Sequence, residues 1–368
     1  MRYNHDNRIV LTLDAGGTNF VFCAMQAEEE IIAPITITAH AETLEEVLNK
    51  IVTGFEEVKS KLDEEPVAIS FAFPGPADYS NGIIGDLQNL PTFRGGVALG
   101  PMLAEKFGIP TFINNDGDLF VYGEAIAGFL PDINKELEDT ASPKRYKNLF
   151  GITLGTGFGA GLVIDGRPFL GDNGSGASMW ITRNKIYPES YAEESVSIRA
   201  VRRVYAEHAG IAFEDAPEPK VICNIAYGSA EGNVDAAREA WRQLGEAAGE
   251  SVADAVNLVD ALVVIGGGLS GAYDLFLPAL VTEMNKPLNK LHSDPLCRME
   301  VQAFNLEDSD QKKIFLKGEA KMVHIPGSYR TIAYDPLKRT GVGVSRLGTS
   351  KAVAIGAYTF ALHELDKL

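Results

Sequence analysis

Apolar residues along the chain fall into short runs of strand-like length and longer stretches with helical spacing. Residues 9–13 form a short run rich in branched side chains, and 20–25 and 31–38 follow as the next strands of a predicted meander. Across 43–61 the apolar residues recur every three or four positions, which predicts an amphipathic helix. Residues 67–71 form a mostly apolar run, so we expect a buried strand there.

This order of strand and helix continues to the middle of the chain. We expect a helix at 99–107, a strand at 111–113 and a helix at 117–129. Residues 131–148 are polar, contain two prolines and carry several charges, which favours a surface loop near a domain junction.

The second half of the chain begins like the first. Strands are predicted at 149–154 and 160–164, and Asp165-Gly166 directly after them is a strong hairpin signal. A long helix through 241–256 leads to a buried strand at 261–265, and a further helix follows.

The repeated order predicts two related α/β domains with a cleft between them. We place an N-terminal α/β domain at 1–128 and a C-terminal α/β domain at 129–349, with the closing helix at 350–368 packed on the first domain. Within the second domain, 326–348 is rich in glycine, arginine and serine and is expected to be a loop.

The composition excludes some classes of partner. The chain of 368 residues is 45% hydrophobic, which is enough for a large buried core. It has 33 lysines and arginines against 50 acidic residues, and its formal net charge is −17. Such a surface repels nucleic-acid phosphates and anionic lipid, so we expect neither nucleic acid nor membrane as a partner. No apolar run approaches the roughly 18 residues that span a bilayer, and the polar start lacks a signal-peptide core.

The cysteines point to a reduced environment. Cys23, Cys223 and Cys297 are widely spaced and odd in number, so they predict no disulfide framework and form no C-x-x-C zinc signature. We therefore expect a cytoplasmic protein without a thiolate-bound structural zinc.

Three glycine-rich turns, each after an apolar strand, are the main chemical signal. Phosphate binding needs main-chain N–H groups that can be approached closely, which favours glycine, and a carboxylate that holds Mg²⁺, usually through water. The first turn offers both, although a Gly-Gly pair also favours an ordinary hairpin turn. Its residues are Asp14, Gly16, Gly17, Thr18 and Asn19.

The other two turns repeat the requirement from different strands. One lies between two strands, and the other lies between a strand and a helix, whose N-terminus favours anions. One glycine turn is a weak signal, but three after apolar strands predict a nucleotide site. Their residues are Gly155, Thr156 and Gly157 in the second turn and Gly266, Gly267 and Gly268 in the third.

In order and spacing, the three turns resemble the two phosphate motifs and the adenosine motif of the actin-like ATPase superfamily, whose two domains are ribonuclease-H-like. Four further pieces resemble the ROK family of sugar kinases and repressors. These are Pro74-Gly75-Pro76-x-Asp78, Asn89-Leu90-Pro91, Asn115-Asp116 and, in the last helix, Gly356-Ala357. The resemblance runs from about residue 8 to residue 360.

The resemblance implies roles for four residues. It makes Asp116 the general base, because a carboxylate in reach can take the proton of a sugar hydroxyl as the phosphoryl group arrives. Asp116 follows a predicted strand, where open α/β sheets place ligands, but it also fits a simple cap for the helix that begins at Gly117. Gly75, Asn89 and Asn115 become sugar-binding residues; for the two asparagines, turn chemistry is the alternative.

The chain departs from the family after the second turn. Most members have a Glu-x-Gly-His pattern there, followed by a cysteine-rich zinc loop, whereas Ser178 and Ile181 stand at the glutamate and histidine positions. Glu193 is the best candidate for the remaining sugar-binding glutamate, with Glu194 beside it. An acidic first helical turn is the alternative role.

Two aromatic residues, Trp180 and Tyr191, lie in the segment that replaces the zinc loop. Either ring is able to stack on a sugar face, and both are able to pack the segment in place of zinc. We favour packing.

Taken together, the resemblance implies ATP- and Mg²⁺-dependent phosphorylation of glucose or a related hexose or N-acetylhexosamine by a homodimer. The missing glutamate and histidine leave a second hypothesis open: a catalytically weak or silent sugar-binding protein, acting as a sensor or regulator without a DNA-binding domain. DNA-reading members carry a helix-turn-helix segment before the first strand. Here eight residues precede Ile9 and the charge is strongly negative, which opposes DNA binding.

Overall fold

The computed structural model describes residues 3–16, 18–87 and 90–367. They form two compact units. Unit 1 consists of Met1–Gly128, Gly161–Ala177 and Leu347–Leu368, and unit 2 consists of Phe129–Ala160 and Ser178–Arg346. This division differs from the predicted domains mainly in residues 161–177, which group with the N-terminal part of the chain.

Groups of strands and helices follow one another along the chain. The strands are β1 (Val10–Ala15), β2 (Asn19–Gln26), β3 (Glu29–Glu30), β4 (Ile35–Thr38), β5 (Ala68–Ala72), β6 (Ala77–Asp78), β7 (Ile83–Ile84), β8 (Thr111–Asn114), β9 (Leu149–Leu154), β10 (Phe158–Ile164), β11 (Arg167–Pro168), β12 (Leu262–Gly266), β13 (Gln302–Asn305), β14 (Lys321–His324), β15 (Thr331–Tyr334) and β16 (Arg339–Val344). The helices are α1 (Leu44–Ser60), α2 (Leu99–Phe107), α3 (Asp116–Ala127), α4 (Phe129–Asp139), α5 (Ile198–Ala209), α6 (Pro219–Ala226), α7 (Val234–Val259), α8 (Tyr273–Met284), α9 (Ser309–Lys317) and α10 (Thr349–Leu365). In the part of the chain that the structure describes, none of these helices has the length and apolarity to cross a bilayer.

The main sheet of unit 1 brings two predicted site segments to one edge. Its order is β3-β2-β1-β5-β8, and β4 also pairs with β2. Strands β1, β5 and β8 are parallel, and their register places Asp14, Ala72 and Asn114 side by side. The first glycine turn and the start of helix α3 therefore leave the sheet at the same carboxyl-terminal edge.

Helix α1 covers this sheet with the apolar stripe read from its sequence. Thr43 caps the helix, since its side chain accepts a hydrogen bond from the Glu46 N–H. On the buried face, the Phe55 ring lies edge-on to the Phe22 ring of β2, with the ring centroids 5.1 Å apart.

Helix α10 packs on helix α3 at two glycines. A Cβ atom at Gly123 would lie 1.9 Å from Ala352 O, and one at Gly356 would lie 2.0 Å from Leu119 O. Glycine is required at both positions because any side chain would push the helices apart. This close contact anchors α3, whose first turn carries Asp116.

The parallel sheet of unit 2 has the order β9-β12-β16-β13. Thr153 of β9 is in register with Gly266 of β12. The second and third glycine turns therefore leave neighbouring strands at one edge. Helix α7 packs on α8, where the Trp241 ring stacks on the Phe276 ring.

Two predicted loops are wrong in part. Residues 131–148 begin inside helix α4, in which Ile133 and Leu137 are buried on one face and Pro131 lies in the first turn, where proline is tolerated. Residues 326–348 contain strands β15 and β16. Val342 of β16 is fully buried beside β12, so tertiary pairing overrides the loop-like composition.

Candidate functional site

The first glycine turn joins β1 to β2, and Asp14 stands at its start with an exposed side chain. The Ala39 N–H donates to Thr18 O at 2.8 Å, which ties the far side of the turn to the sheet. A Cβ atom at Gly16 would lie 3.0 Å from Asn19 O. A side chain at position 16 would therefore crowd the main chain of Asn19.

Two predicted site residues, Gly17 and Asn89, lie outside the described residues. Asp78 of the Pro-Gly-Pro-x-Asp motif is described, and it accepts hydrogen bonds from the side chains of Ser80 and Asn81. This aspartate therefore caps its own turn.

Asn115 and Asp116 form the start of helix α3, with Asn115 as the N-cap. Asn115 Oδ1 and Asp116 Oδ1 both accept from the Gly117 N–H, at 2.9 Å and 2.8 Å. Asp116 keeps solvent-accessible surface although the surrounding protein removes much of the water around its carboxylate, and its Oδ2 accepts no hydrogen bond from another described residue. Helix capping therefore occupies one carboxylate oxygen of Asp116 and leaves the other for a ligand.

Three aspartates concentrate negative charge near this edge. Loss of surrounding water, and then the charge of Asp116, raises the pKa of Asp14 and raises the pKa of Asp118 to about 7. Loss of water also raises the pKa of Asp116, which the Gly117 N–H partly offsets. Asp118 is buried, and its Oδ1 has no hydrogen-bond partner among the described residues.

This charge favours a cation beside the first turn, but the protein supplies few direct ligands. Among residues 3–16, 18–87 and 90–367, no group of three or more His, Cys, Asp or Glu side chains is arranged to hold a metal ion. A cation at Asp14 would therefore take most of its ligands from water or substrate.

Tyr79 joins the loop around Gly75 to the start of helix α3. Its hydroxyl donates to Phe73 O at 3.0 Å and accepts from Asn115 Nδ2 at 3.3 Å. A Cβ atom at Gly75 would lie 3.1 Å from the same hydroxyl, and the Gly75–Pro76 peptide is cis. Two predicted sugar-binding residues, Gly75 and Asn115, thus lie on either side of one phenol group.

The second glycine turn, between β9 and β10, is held by a glutamate from the segment before helix α5. Glu193 Oε2 accepts a hydrogen bond from the Phe158 N–H at 3.0 Å, and a Cβ atom at Gly157 would lie 2.8 Å from that oxygen. Thr156 is exposed, and a Cβ atom at Gly155 would meet nothing within 4 Å. Glu193, predicted as a sugar ligand, therefore contacts the turn predicted to bind phosphate.

The third turn begins at Gly266, the end of β12, and packs against the second. The Leu269 N–H donates to Leu154 O at 3.0 Å. Gly267 has a φ of +87° and a Cβ atom there would lie 2.4 Å from Leu154 O, so both conformation and space require glycine. At Gly268 a Cβ atom would meet nothing within 4 Å, which leaves its main chain accessible.

The segment before helix α5 is organised around a buried amide. Asn184 Nδ2 donates to Tyr191 O and to Ser195 Oγ, both at 2.9 Å, and Asn184 Oδ1 accepts from two main-chain N–H groups. Trp180 lies edge-on to Tyr191 with ring centroids 6.0 Å apart. Both rings, like Ile181, keep a large exposed surface. A hydrogen-bond network thus shapes this segment.

Glu194, the neighbour of Glu193, is committed to other partners. It forms ion pairs with Arg199 and Arg203, and it accepts a hydrogen bond from the Tyr191 hydroxyl at 3.1 Å. These contacts make Glu194 a structural residue of the helix α5 start and leave Glu193 as the candidate of the pair.

Sequence reasoning missed Asp118 and Tyr79. Asp118 stands two residues after Asp116 in the same helical turn, so the paired carboxylates were an available signal. Tyr79 directly follows the Pro-Gly-Pro-x-Asp motif, but nothing local indicates that its hydroxyl reaches Asn115.

Comparisons with known proteins identify a family and several relatives. The model of the ROK family matches residues 10–311. A solved structure of glucokinase from Parabacteroides distasonis is 54% identical, with a TM-score of 0.90, and the alignment covers 99% of both chains. Glucokinase from Thermotoga maritima is 26% identical over 292 residues, which cover 74% of this chain and 85% of the relative. N-acetyl-D-glucosamine kinase from Aliivibrio fischeri is 26% identical over 293 residues, covering 75% and 88%.

The fold prediction is confirmed, since the family's structures have the two-domain actin-like ATPase fold. The family model spans most of the residues, and the glucokinase structure that is 54% identical covers the chain almost completely. The chain therefore belongs to the ROK family.

Proposed function

We propose that this chain is an ATP-dependent sugar kinase that transfers the γ-phosphate of ATP to a hydroxyl group of a hexose. The relatives named glucokinase and N-acetyl-D-glucosamine kinase support glucose, a related hexose or an N-acetylhexosamine as acceptor. The observation that carries the proposal is the register that aligns Asp14 with Asn114, two residues before Asp116. Phosphoryl transfer needs a metal-binding carboxylate and a base in one place.

Asp116 is the proposed general base. Its Oδ2 takes the proton of the sugar hydroxyl while the hydroxyl oxygen bonds to the γ-phosphorus and the bond to the ADP oxygen breaks. The hydrogen bond from the Gly117 N–H to Oδ1 fixes the carboxylate orientation. Loss of water around Asp116 raises the pKa of its carboxyl group, which makes the carboxylate a stronger proton acceptor.

Asp14 is the proposed carboxylate for Mg²⁺, which supplies positive charge to the phosphate oxygens when it is bound. The donor set fits this ion, because Asp14 is exposed and lies in a region of unbalanced negative charge. Among the described side chains, too few lie here to coordinate the ion fully, so water and phosphate would complete its shell. We propose no structural zinc, since the Asn184 network holds the segment where the family's zinc loop would lie.

The glycine turns are the proposed ATP contacts. In unit 1 the turn contains Gly16, Gly17, Thr18 and Asn19; in unit 2 the turns contain Gly155, Thr156 and Gly157, and Gly266, Gly267 and Gly268. A Cβ atom at Gly155 or Gly268 would meet nothing within 4 Å, so a phosphate group or the adenosine of ATP would be able to approach the main-chain N–H groups there.

Asn115, Gly75, Asn89 and Glu193 remain the proposed sugar contacts. Asn115 Nδ2 has two hydrogens and uses one on the Tyr79 hydroxyl, so the other is available to a sugar hydroxyl. Glu193 Oε2 accepts a hydrogen bond from the Phe158 N–H, which leaves Oε1 for a sugar hydroxyl.

A catalytically weak or silent sugar-binding protein is the second candidate. Two observations favour it: Ser178 and Ile181 replace the family's glutamate and histidine, and Glu193 is partly occupied by Phe158. Retention of Asp14 and Asp116 favours the enzyme.

We also propose that the protein works in the cytoplasm, where ATP is available, and as a homodimer, which the family resemblance implies. Its partners would then be sugar, ATP and a second copy, and its negative charge argues against nucleic acid.

The test is ATP consumption with a panel of hexoses and N-acetylhexosamines, comparing the wild type with Asp116→Asn. Asparagine keeps an oxygen for the Gly117 N–H but accepts no proton, so kcat is expected to fall by about 10²-fold or more while the sugar Kd changes little. An unchanged kcat removes Asp116 from the mechanism. Sugar binding without ATP turnover in the wild type selects the silent protein.

A further inference from the structure

A two-stranded ribbon in unit 2 has no described partner in the fold. Strands β14 and β15 pair only with each other, in antiparallel register, with Val323 opposite Ile332 and Lys321 opposite Tyr334. We call residues 320–334 the ribbon. It lies beyond the end of the family match at residue 311, and the proposed kinase roles do not use it.

The ribbon exposes large apolar side chains on both faces and at its tip. Their exposed fractions are 61% for Met322, 106% for Tyr329, 58% for Ile332 and 50% for Tyr334. An isolated two-stranded ribbon is marginally stable in water, and exposed apolar clusters mark interaction surfaces. The ribbon therefore has the character of a docking element.

The base of the ribbon is fixed to the body of unit 2. Arg339 is fully buried and donates to Asp335 Oδ2 and to Phe315 O, both at 2.6 Å. Asp335 Oδ1 accepts from the Glu319 N–H at 3.0 Å, so the carboxylate closes the ribbon where its two strands leave the body. The projecting strands thus have a defined direction, which reduces the ordering cost of docking.

The charge of the ribbon is opposite to that of the protein. Residues 320–334 contain Lys321 and Arg330 and no aspartate or glutamate, while the whole chain has a net charge of −17. Neither cation forms an ion pair with a described residue; Lys321 instead lies 5.9 Å from the centroid of the Tyr334 ring. An acidic surface is the complement of this basic, aromatic element.

We propose that the ribbon is an arm that docks on a second copy of this chain. The acidic remainder of an identical molecule supplies the complementary charge, and a twofold arrangement lets each copy contribute one arm. The apolar side chains would then be covered and the two cations paired. This proposal specifies a surface for the proposed homodimer and does not depend on kinase activity.

The test measures the dimer dissociation constant by sedimentation across a dilution series. The charge variant Lys321→Glu with Arg330→Glu is compared with Lys290→Glu with Lys313→Glu, which makes the same charge change at exposed positions of unit 2 outside the ribbon. A third variant, Met322→Thr with Ile332→Thr, removes apolar surface and keeps strand propensity at position 332. We expect both ribbon variants to weaken the dimer about tenfold or more, and the control pair to weaken it less.

Three outcomes decide the proposal. A dimeric wild type whose ribbon variants dissociate, with unchanged melting temperature and unchanged ATP turnover per chain, supports it. A monomeric wild type at every concentration overturns both the arm and the homodimer. A dimer that the ribbon variants leave unchanged overturns the arm alone. ATP turnover of the wild type tests the kinase separately, so failure of one proposal is distinguishable from failure of the other.

Discussion

Glu193 Oε2 accepts a hydrogen bond from the Phe158 N–H at 3.0 Å, directly after the second glycine turn. A few residues later in the same segment, the Ile198 N–H donates to Gly155 O at 2.8 Å. Glu193 in the segment before helix α5 and Ile198 at the helix start therefore hold the second turn at both its ends. Glu193, which the sequence predicts as a sugar ligand, therefore supports the main chain of the turn that is predicted to bind phosphate.

If the second glycine turn contacts ATP, this hydrogen bond makes ATP binding depend on Glu193. We expect Glu193→Ala to raise the KM for ATP by about tenfold, since a hydrogen bond to a charged acceptor contributes roughly 1.5–3 kcal/mol. Glu193→Gln keeps an acceptor oxygen for Phe158 and should restore most of the ATP affinity. Steady-state kinetics with each substrate varied in turn separates the two effects. A rise in the sugar KM alone would make Glu193 a sugar ligand with no role in shaping the turn.

The third turn contains two neighbouring glycines with different requirements. We expect Gly267→Ala to lower the free energy of unfolding by about 3 kcal/mol, because the added Cβ atom strains a positive φ and meets Leu154 O. Gly268→Ala meets no protein atom, so its melting temperature should match the wild type.

The same pair tests the nucleotide assignment. If an ATP edge approaches the Gly268 main chain, Gly268→Ala should raise the KM for ATP roughly tenfold, which corresponds to ~1.4 kcal/mol, and leave the sugar KM unchanged. Melting curves confirm that the fold is intact before kinetics are measured. An unchanged ATP KM in a folded Gly268→Ala protein would remove this turn from the nucleotide site.

Features that depend on neighbours in sequence were predictable here. A run of branched apolar residues followed by Asp14 and a glycine pair predicts a strand that ends in a turn. Strand β1 does end at this point, at Ala15. Helix α4 was not predicted because its sequence is mostly polar and contains Pro131. Only a few apolar residues, among them Ile133 and Leu137, form its buried face. The ribbon strands were missed because residues 326–348 have loop-like composition and their pairing is with 321–324.

Features that depend on packing were not predictable. The Glu193 contact joins residues 35 positions apart, and no local pattern indicates which carboxylate reaches Phe158. Asp118 is buried where helix α3 meets β10, since a Cβ atom at Gly161 would lie 2.9 Å from Asp118 Cα. Its position two residues after Asp116 was visible in the sequence, but its burial was not.

Burial of Asp118 has a consequence for stability against pH. Loss of water, and then the charge of Asp116, raises the pKa of Asp118 from 3.8 to about 7 in the folded protein. The folded state therefore binds a proton that the unfolded state has lost between these two values. Since stability falls with pH wherever the folded state binds more protons, the contribution of this group is most favourable below 3.8 and declines up to about 7.

Replacing Asp118 by asparagine should remove this pH dependence. We expect the stability of Asp118→Asn relative to the wild type to increase as pH rises from 3.8 toward 7 and then to level off, by about 1.4 kcal/mol for each pKa unit of the shift. Denaturant unfolding across this range measures the difference, and Asp172→Asn, at an exposed aspartate, is the control. Parallel pH curves for the wild type and Asp118→Asn would mean that Asp118 is ionised in the folded protein across this range, with a full negative charge beside that of Asp116.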